Sequence, residues 1–368
     1  MRRYAIFLGI VTVILYITNL VVYEALATAL VITGSLSLLL LGAGLGLLSA
    51  GFVGAMLLGS KYYNWFTRTY YTLLAIWMGT LGNLFFASLA LGIIGLFPLI
   101  GIAIPVQSTG MALFAGALLV SIYGVVHAKN VTSTHYTVPL KGLPEAWKNK
   151  KAVWISDLHL GHIHGPKFAR KVTETVMAHN PEMIFIGGDL YDGTTAPDLY
   201  KLAEPLKNLS APWGVYYITG NHEEYGDMNA FLEAVRRLGI TILRDEKIEV
   251  EGVQLLGVDY RNASSAEGFA KILDALQLSA EKPSILLKHE PRDLHIAHAA
   301  GVSVQISGHT HYGQQWPFRY MAQLAYKGYA YGLNPFKGMH MLTSSGIGTW
   351  GPPLRVGTKG EAVVITFV

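Results

Sequence analysis

Three uncharged runs open the chain, and they limit its fold more than any other feature. Tyr4–Tyr23, Ala25–Ser60 and Thr69–Val126 contain no Asp, Glu, Lys or Arg over 20, 36 and 58 residues. A helix rises about 1.5 Å per residue, so the first run alone spans about 30 Å, one hydrocarbon core. A buried soluble helix rarely needs 36 uncharged residues. The runs predict a transmembrane domain over 1–128. The third is broken by Pro98, Pro105 and the polar Gln107-Ser108-Thr109, and fits two spans. Four spans are therefore expected, near 4–23, 28–58, 70–96 and 109–127. Arg2-Arg3 and Ala25-Leu26-Ala27 resemble the flanks of a signal peptide. The apolar run is longer than a signal core and more spans follow, so an uncleaved first span is expected.

Composition follows this division. Residues 1–130 hold five basic residues and one acid, whereas 131–368 hold 23 of each sign and 12 of the 13 histidines. A soluble part with no net charge offers no basic field for nucleic acid, and no nucleic-acid partner is expected. With no cysteine, disulfides and thiolate chemistry are excluded. Lys61, Arg68, Lys129 and the lysines at 141–151 would share one side of the membrane with Arg2 and Arg3. Positive-inside then predicts an inner or plasma membrane protein with its soluble domain in the cytoplasm. Two short spans in Ala25–Ser60 would reverse that orientation. Gly42, Gly44, Gly46, Ala50 and Gly54 crowd the second run, which suits packing within the bundle or, as the lesser alternative, a homodimer. No span carries an ionisable residue in its interior, so an ion pathway is not expected.

Residues 129–150 read as a linker with a first edge strand, and 151–368 as an α/β domain of mixed sheets. Buried strands are expected at 151–156, 183–187, 215–219, 240–243, 253–258, 284–288, 302–307 and 362–368. A helix follows Pro166 and stops at Asn180-Pro181. Ser264-x-x-Glu267 reads as a capping box, and Glu251-Gly252 as a hairpin turn.

Polar residues gather after five of these strands: Asp157-Leu158-His159, Gly188-Asp189, Gly220-Asn221-His222-Glu223, His289-Glu290 and Gly308-His309-Thr310-His311. Strand C-termini are where α/β sheets build their sites. The set offers oxygen and nitrogen donors without sulfur. It is too large for one Zn²⁺, which takes about four ligands. It suits two metals sharing a carboxylate, with Mn favoured and Zn or Fe possible by donor type.

The ordered set resembles the calcineurin-like metallophosphoesterase superfamily. Ser307-Gly308-His309-Thr310-His311-Tyr312-Gly313-Gln314 and the tail Gly346-Ile347-Gly348-Thr349-Trp350-Gly351-Pro352-Pro353 with Arg355 are similar to its YaeI/YkuE-like branch, which has multi-span membrane members. Tyr312 departs from the Gly common there. The resemblance implies two mixed sheets packed as a sandwich with helices outside. It implies that Asp157, His159 and His311 hold one metal, that Asn221, His289 and His309 hold the other, and that Asp189 bridges them. His222 would protonate the leaving oxygen or bind the transition state. Glu223 reads as orienting His222 or, equally, as a surface carboxylate. The implied reaction is hydrolysis of a phosphoester or pyrophosphate by in-line attack of metal-activated hydroxide.

Several residues beyond this set are candidates for substrate contact: His162, Arg261, Arg355 and Tyr312. His162 and His164 follow the first strand, with solvated loop histidines as the equal alternative; Asp192 reads as an outer support or a turn, and His295 and His298 as structural or surface. An aromatic stretch from Trp316 to Phe336 could form a rim that meets lipid. The expected substrate is a phospholipid or lipid phosphate in the bilayer. A soluble nucleotide or phosphoester, with the spans as anchor only, is the alternative, and a non-catalytic metal-binding scaffold is the third reading.

Overall fold

The computed structural model describes residues 2–193 and 198–368. Two compact units emerge, one of residues 1–127 with 351–354 and one of 128–350 with 355–368.

The first unit is helical: α1 (Arg2–Ala29), α2 (Ser35–Gly59), α3 (Trp65–Ile94) and α4 (Val106–His127). All four are long and apolar enough to cross a membrane. The second uncharged run holds one span-length helix, α2, and its first residues belong to α1. The first break falls at 30–34 rather than at Glu24, because α1 runs on through Glu24 and the Ala25–Ala27 tripeptide. The side chains of Arg2 and Arg3 lie outside the described residues. Among the small residues of α2, Gly42 and Ser49 meet α1, whereas a Cβ on Gly44 or Gly46 would touch nothing within 4 Å. A Cβ on Gly42 would touch Tyr23 at 3.5 Å, and Asn19 donates to Ser49 at 2.7 Å.

The second unit is a two-sheet sandwich. One sheet runs β1 (Val131–Val138), β12 (Gly360–Phe367), β2 (Lys151–Ile155), β3 (Met183–Ile186), β4 (Val215–Tyr217) and β5 (Thr241–Ile242). The other runs β10 (Gly332–Phe336), β11 (Met339–Thr343), β9 (Val304–Ser307), β8 (Ser284–Leu287), β7 (Val253–Gly257) and β6 (Glu246–Val250). Pairing is parallel along β2-β3-β4-β5 and β7-β8-β9-β11, and antiparallel at β12-β2, β6-β7 and β10-β11. Strands buried on both faces read as continuous apolar runs, and Met183–Ile186 and Ser284–Leu287 are buried at every position.

Trp154, Phe185, Leu255, Ile285, Ile306 and Ile365 from the two inner faces form one shared core. Fully burying such side chains stabilises by about 1.5–3 kcal/mol each. Among the helices, α5 (Pro166–Met177) packs on β1 and β12, and α6 (Leu199–Ala203) and α7 (Met228–Arg237) pack together. Helices α8 (Ala266–Leu276) and α9 (Leu294–Ala299) cover the outside of the second sheet, and α10 (Phe318–Ala325) follows the last metal-site loop. The cap of α8 corrects the sequence reading by one residue. Ser265, not Ser264, is the N-cap, and its hydroxyl accepts from Gly268 N at 3.1 Å.

Candidate metal centre

The expected donors come from five loops, after β2, β3 and β4 of one sheet and after β8 and β9 of the other. Their backbone is unusual. Asp157, His159, Asp189, His309 and His311 all have left-handed φ, between 47° and 70°. A non-glycine residue in that region costs about 1–3 kcal/mol and persists only where its surroundings over-determine it. These bends turn successive side chains toward one point. Glycines let the loops close up. A Cβ on Gly308 would strike the Asp157 carboxylate, and one on Gly220 would strike Asp189.

Three donor groups result, and the one formed by His159, Asp189 and His222 overlaps the other two. The ligating atoms of Asp157, His159 and His311 lie within 4.8 Å of one another, as do those of Asp189, His289 and His309. In the first group, His159 Nε2 faces His311 Nε2 at 3.0 Å. In the second, Asn221 Oδ1 lies 2.8 Å from His309 Nδ1 and 3.2 Å from His289 Nε2. Asp189 stands between them, its Oδ2 lying 3.3 Å from His289 Nε2 and 3.8 Å from His159 Nε2. His309 N donates to Asp157 at 3.0 and 3.1 Å, tying the loops of the two sheets together. The structure thus brings together all seven donors expected from sequence.

The outer contacts match metal ligands as well. His289 Nδ1 lies 2.7 Å from Gly187 O, which leaves Nε2 free to ligate. His309 uses the opposite sense: Nδ1 faces the donors and Nε2 faces Glu290 at 3.7 Å. Such partners fix tautomer and ring orientation. Burial opposes charge on His289, yet Asp189 raises its pKa to about 10. Burial likewise opposes charge on Asp189, but His289 and His222 hold it well below the usual carboxylate range. Divalent cations would supply the positive charge that an ionised, buried Asp189 needs. The oxygen–nitrogen chemistry and the converging nitrogens fit a pair of such ions.

Two assignments change. Glu223 does not orient His222. It is fully buried, and its carboxylate accepts from Gly220 N at 2.7 Å, Leu190 N at 2.9 Å, Asp189 N at 3.0 Å and Tyr191 N at 3.3 Å. It therefore pins the Asp189 loop to the Asn221 loop. Burial and the Asp189 charge push its pKa up to about 7. Asp192 instead faces His222, its Oδ1 lying 3.5 Å from His222 Nδ1 and 3.6 Å from His159 Nδ1. Sequence alone left Asp192 as a turn or outer support. Its spacing of three from Asp189 was the one available signal. Burial lowers the His222 pKa, and Asp189 opposes that shift.

The substrate candidates fare differently. Arg355 is corrected: it is completely buried, and Nη2 donates to the carbonyls of Gly348 at 2.6 Å and Ser345 at 2.9 Å. It braces the tail beneath the site, as its guanidinium fork satisfies carbonyls that a loop would leave unpaired. His162 is buried, at 1% exposure, rather than on a solvated loop. His164 accepts from Thr349 N at 3.0 Å, and burial lowers its pKa to about 3, so it is a neutral structural imidazole. Arg261 is exposed and ion-paired with Glu224. Tyr312 is left-handed and stacks on Tyr331 at 4.6 Å. His298, on α9, bonds Lys337 O and lies outside the site. The rim near His222 and His289 is aromatic instead, with Tyr225, Trp350 and Tyr260 rings 5.0 to 6.0 Å away.

Residues 150–313 match the model of the calcineurin-like phosphoesterase family, and this stretch supplies every donor above. The chain carries a calcineurin-like metallophosphoesterase domain. It is 34% identical over 225 residues to a metallophosphoesterase of Helicobacter pylori strain J99, a stretch covering 60% of each chain. It is 29% identical to a zebrafish (Danio rerio) transmembrane protein with a metallophosphoesterase domain, over 71% of this chain and 63% of that one. Identity to the Bacillus subtilis metallophosphoesterase YkuE is 29%, over 64% of this chain and 85% of that one. The chain thus spans less than two thirds of the Helicobacter and zebrafish relatives.

Glu223 gives the metallophosphoesterase domain a testable support. Glu223→Gln keeps the shape but turns an amide N–H against backbone N–H groups. The Mn²⁺ concentration for half-maximal loading is expected to rise about 10- to 100-fold, measured by metal titration of the purified chain. Unchanged loading would show that the two loops hold their register without this carboxylate.

Proposed function

We propose that the chain is a membrane-anchored dimetal phosphohydrolase that cleaves a phosphoester or pyrophosphate carried on a lipid. The observation that carries the reading is Asp189, a single carboxylate placed between two oxygen–nitrogen donor groups. Asp157, His159 and His311 would hold one cation and Asn221, His289 and His309 the other, with Asp189 shared between them. Two divalent ions, with Mn favoured by the donor set, supply charge neutralisation to a phosphoryl group and lower the pKa of water. His222 sits at the edge of the donors, 4.5 Å ring to ring from His159, and carries a proton to the departing oxygen in an in-line displacement. Asp192 Oδ1 faces the His222 imidazole at 3.5 Å.

The lipid substrate is inferred from the tether. Only Ala128, Lys129 and Asn130 lie between the end of α4 and the start of β1. Three extended residues reach about 10 Å, so the domain works at a bilayer surface. Lys61, Arg68 and Lys129 near the span ends favour a cytoplasmic domain in an inner or plasma membrane.

The test is hydrolysis by the full chain with Mn²⁺, across lipid phosphates and pyrophosphates beside bis-p-nitrophenyl phosphate. Lipid turnover is expected to exceed the generic diester by at least about tenfold and to vanish on chelation, returning when Mn²⁺ is restored. Turnover of the generic diester alone would reduce the spans to an anchor for a soluble-substrate enzyme. Activity that survives chelation would overturn the dimetal reading.

A further inference from the structure

Helix α10 has its amphipathic pattern reversed. Phe318, Tyr320, Met321 and Leu324 are 40, 53, 62 and 82% exposed, and Trp316 just ahead is 49% exposed. Gln323 and the following Tyr326 are half-buried, and Gln323 Oε1 is a buried atom with no hydrogen-bond partner, whereas the Arg319 guanidinium lies over the Tyr320 ring and donates to its Oη at 2.8 Å. At 100° per residue, Tyr320, Met321 and Leu324 share one face while Gln323 and Tyr326 share the other. A helix facing water shows the opposite arrangement. Single exposed apolar residues are ordinary, but a contiguous group marks an interaction surface.

The inner face of the same helix reaches the metal centre. Tyr326 Oη donates to Glu290 at 3.2 Å, and its ring lies 6.1 Å from His309. A Cβ on Gly313 would strike the backbone of Phe318 and Arg319, so the first turn of α10 rests on the His311–Gly313 loop.

We propose that the outer face of α10, with Trp316, seats in the headgroup–acyl boundary of a lipid bilayer and so offers the metal centre to lipid-borne phosphoesters. Only the second half of this rests on the phosphoesterase reading. Three observations select a bilayer as the occupant. The chain already has four span-length helices, so a bilayer is always at hand. The patch joins Trp and Tyr, the interfacial aromatics, to Phe, Met and Leu. No acidic residue occurs from Leu294 to Gly360, whereas Arg319, Lys327 and Lys337 fall within that stretch. Such a surface suits anionic headgroups.

The absence of cysteine makes the test direct. Leu324→Cys, and separately Met321→Cys, are labelled with a polarity-sensitive fluorophore in full-length protein held in phosphatidylethanolamine–phosphatidylglycerol nanodiscs. Glu281→Cys, on an exposed turn of the same unit, is the reference. Both α10 probes are expected to emit at shorter wavelength than the reference and to be quenched at least about twofold by brominated acyl chains. Emission and quenching equal to the reference would overturn the proposal. Disulfide crosslinking of unlabelled Leu324→Cys chains to one another would assign the face to a second copy and also overturn it. Insertion without turnover of lipid phosphoesters would support the docking surface and overturn the lipid substrate. Turnover without insertion would do the reverse.

Discussion

Asp189→Asn is expected to lower phosphoester hydrolysis by at least about 10³-fold, a loss of about 4 kcal/mol of transition-state stabilisation. The substitution preserves volume, and the Oδ1 that accepts His222 N at 2.8 Å can still accept. It removes the negative charge that lies between His159 and His289. A neutral amide cannot hold two cations together, so at least one is lost. Elemental analysis of the purified variant checks this directly, beside activity with saturating Mn²⁺. Full metal content together with full activity would show that the two donor groups act without a shared carboxylate.

His222→Ala carries the second large effect, and its size depends on the leaving group. Where an alkoxide departs, losing a positioned proton donor costs about 10²- to 10⁴-fold. Where a p-nitrophenolate departs, the proton matters far less, so bis-p-nitrophenyl phosphate should lose much less. Asp192→Asn should reproduce part of that split, since Asp192 faces the same imidazole. Equal losses on both substrates would instead make His222 a binder of the transition state. Metal content serves as the control, because His222 also lies beside His159 and Asp189.

The parts of the site legible in the sequence share one property: they follow apolar strands in fixed order. Val153 to Ile155 and Met183 to Ile186 are buried runs, and the polar residue that ends each run must leave the sheet at its edge. Order therefore located Asp157, Asp189 and His289. It did not indicate which way a side chain points. Glu223 follows His222, yet the short 3₁₀ turn from His222 to Tyr225 sends its carboxylate down to four backbone N–H groups. Arg355 looked like a phosphate ligand because charge is usually exposed, but its partners are carbonyls of its own tail. Strand β10 was missed because Gly332 and Pro335 read as loop. It lies at the sheet edge, where a missing N–H is tolerated. The span limits shifted because Glu24 was taken as a loop residue, whereas one exposed carboxylate near a helix end does not stop the helix.

The order of strands in the first sheet has a consequence for synthesis. β1 leaves α4 after three residues, and its described partner is β12, which is made after all the other described strands. β12 also separates β1 from β2. Membrane insertion of the helices can therefore be complete while the first strand beyond them still has an open edge. A message cut short between residues 312 and 359 would leave all four helices made and the sheet unfinished, with every candidate metal ligand already made. Quality control at the membrane, rather than in solution, would have to recognise that product.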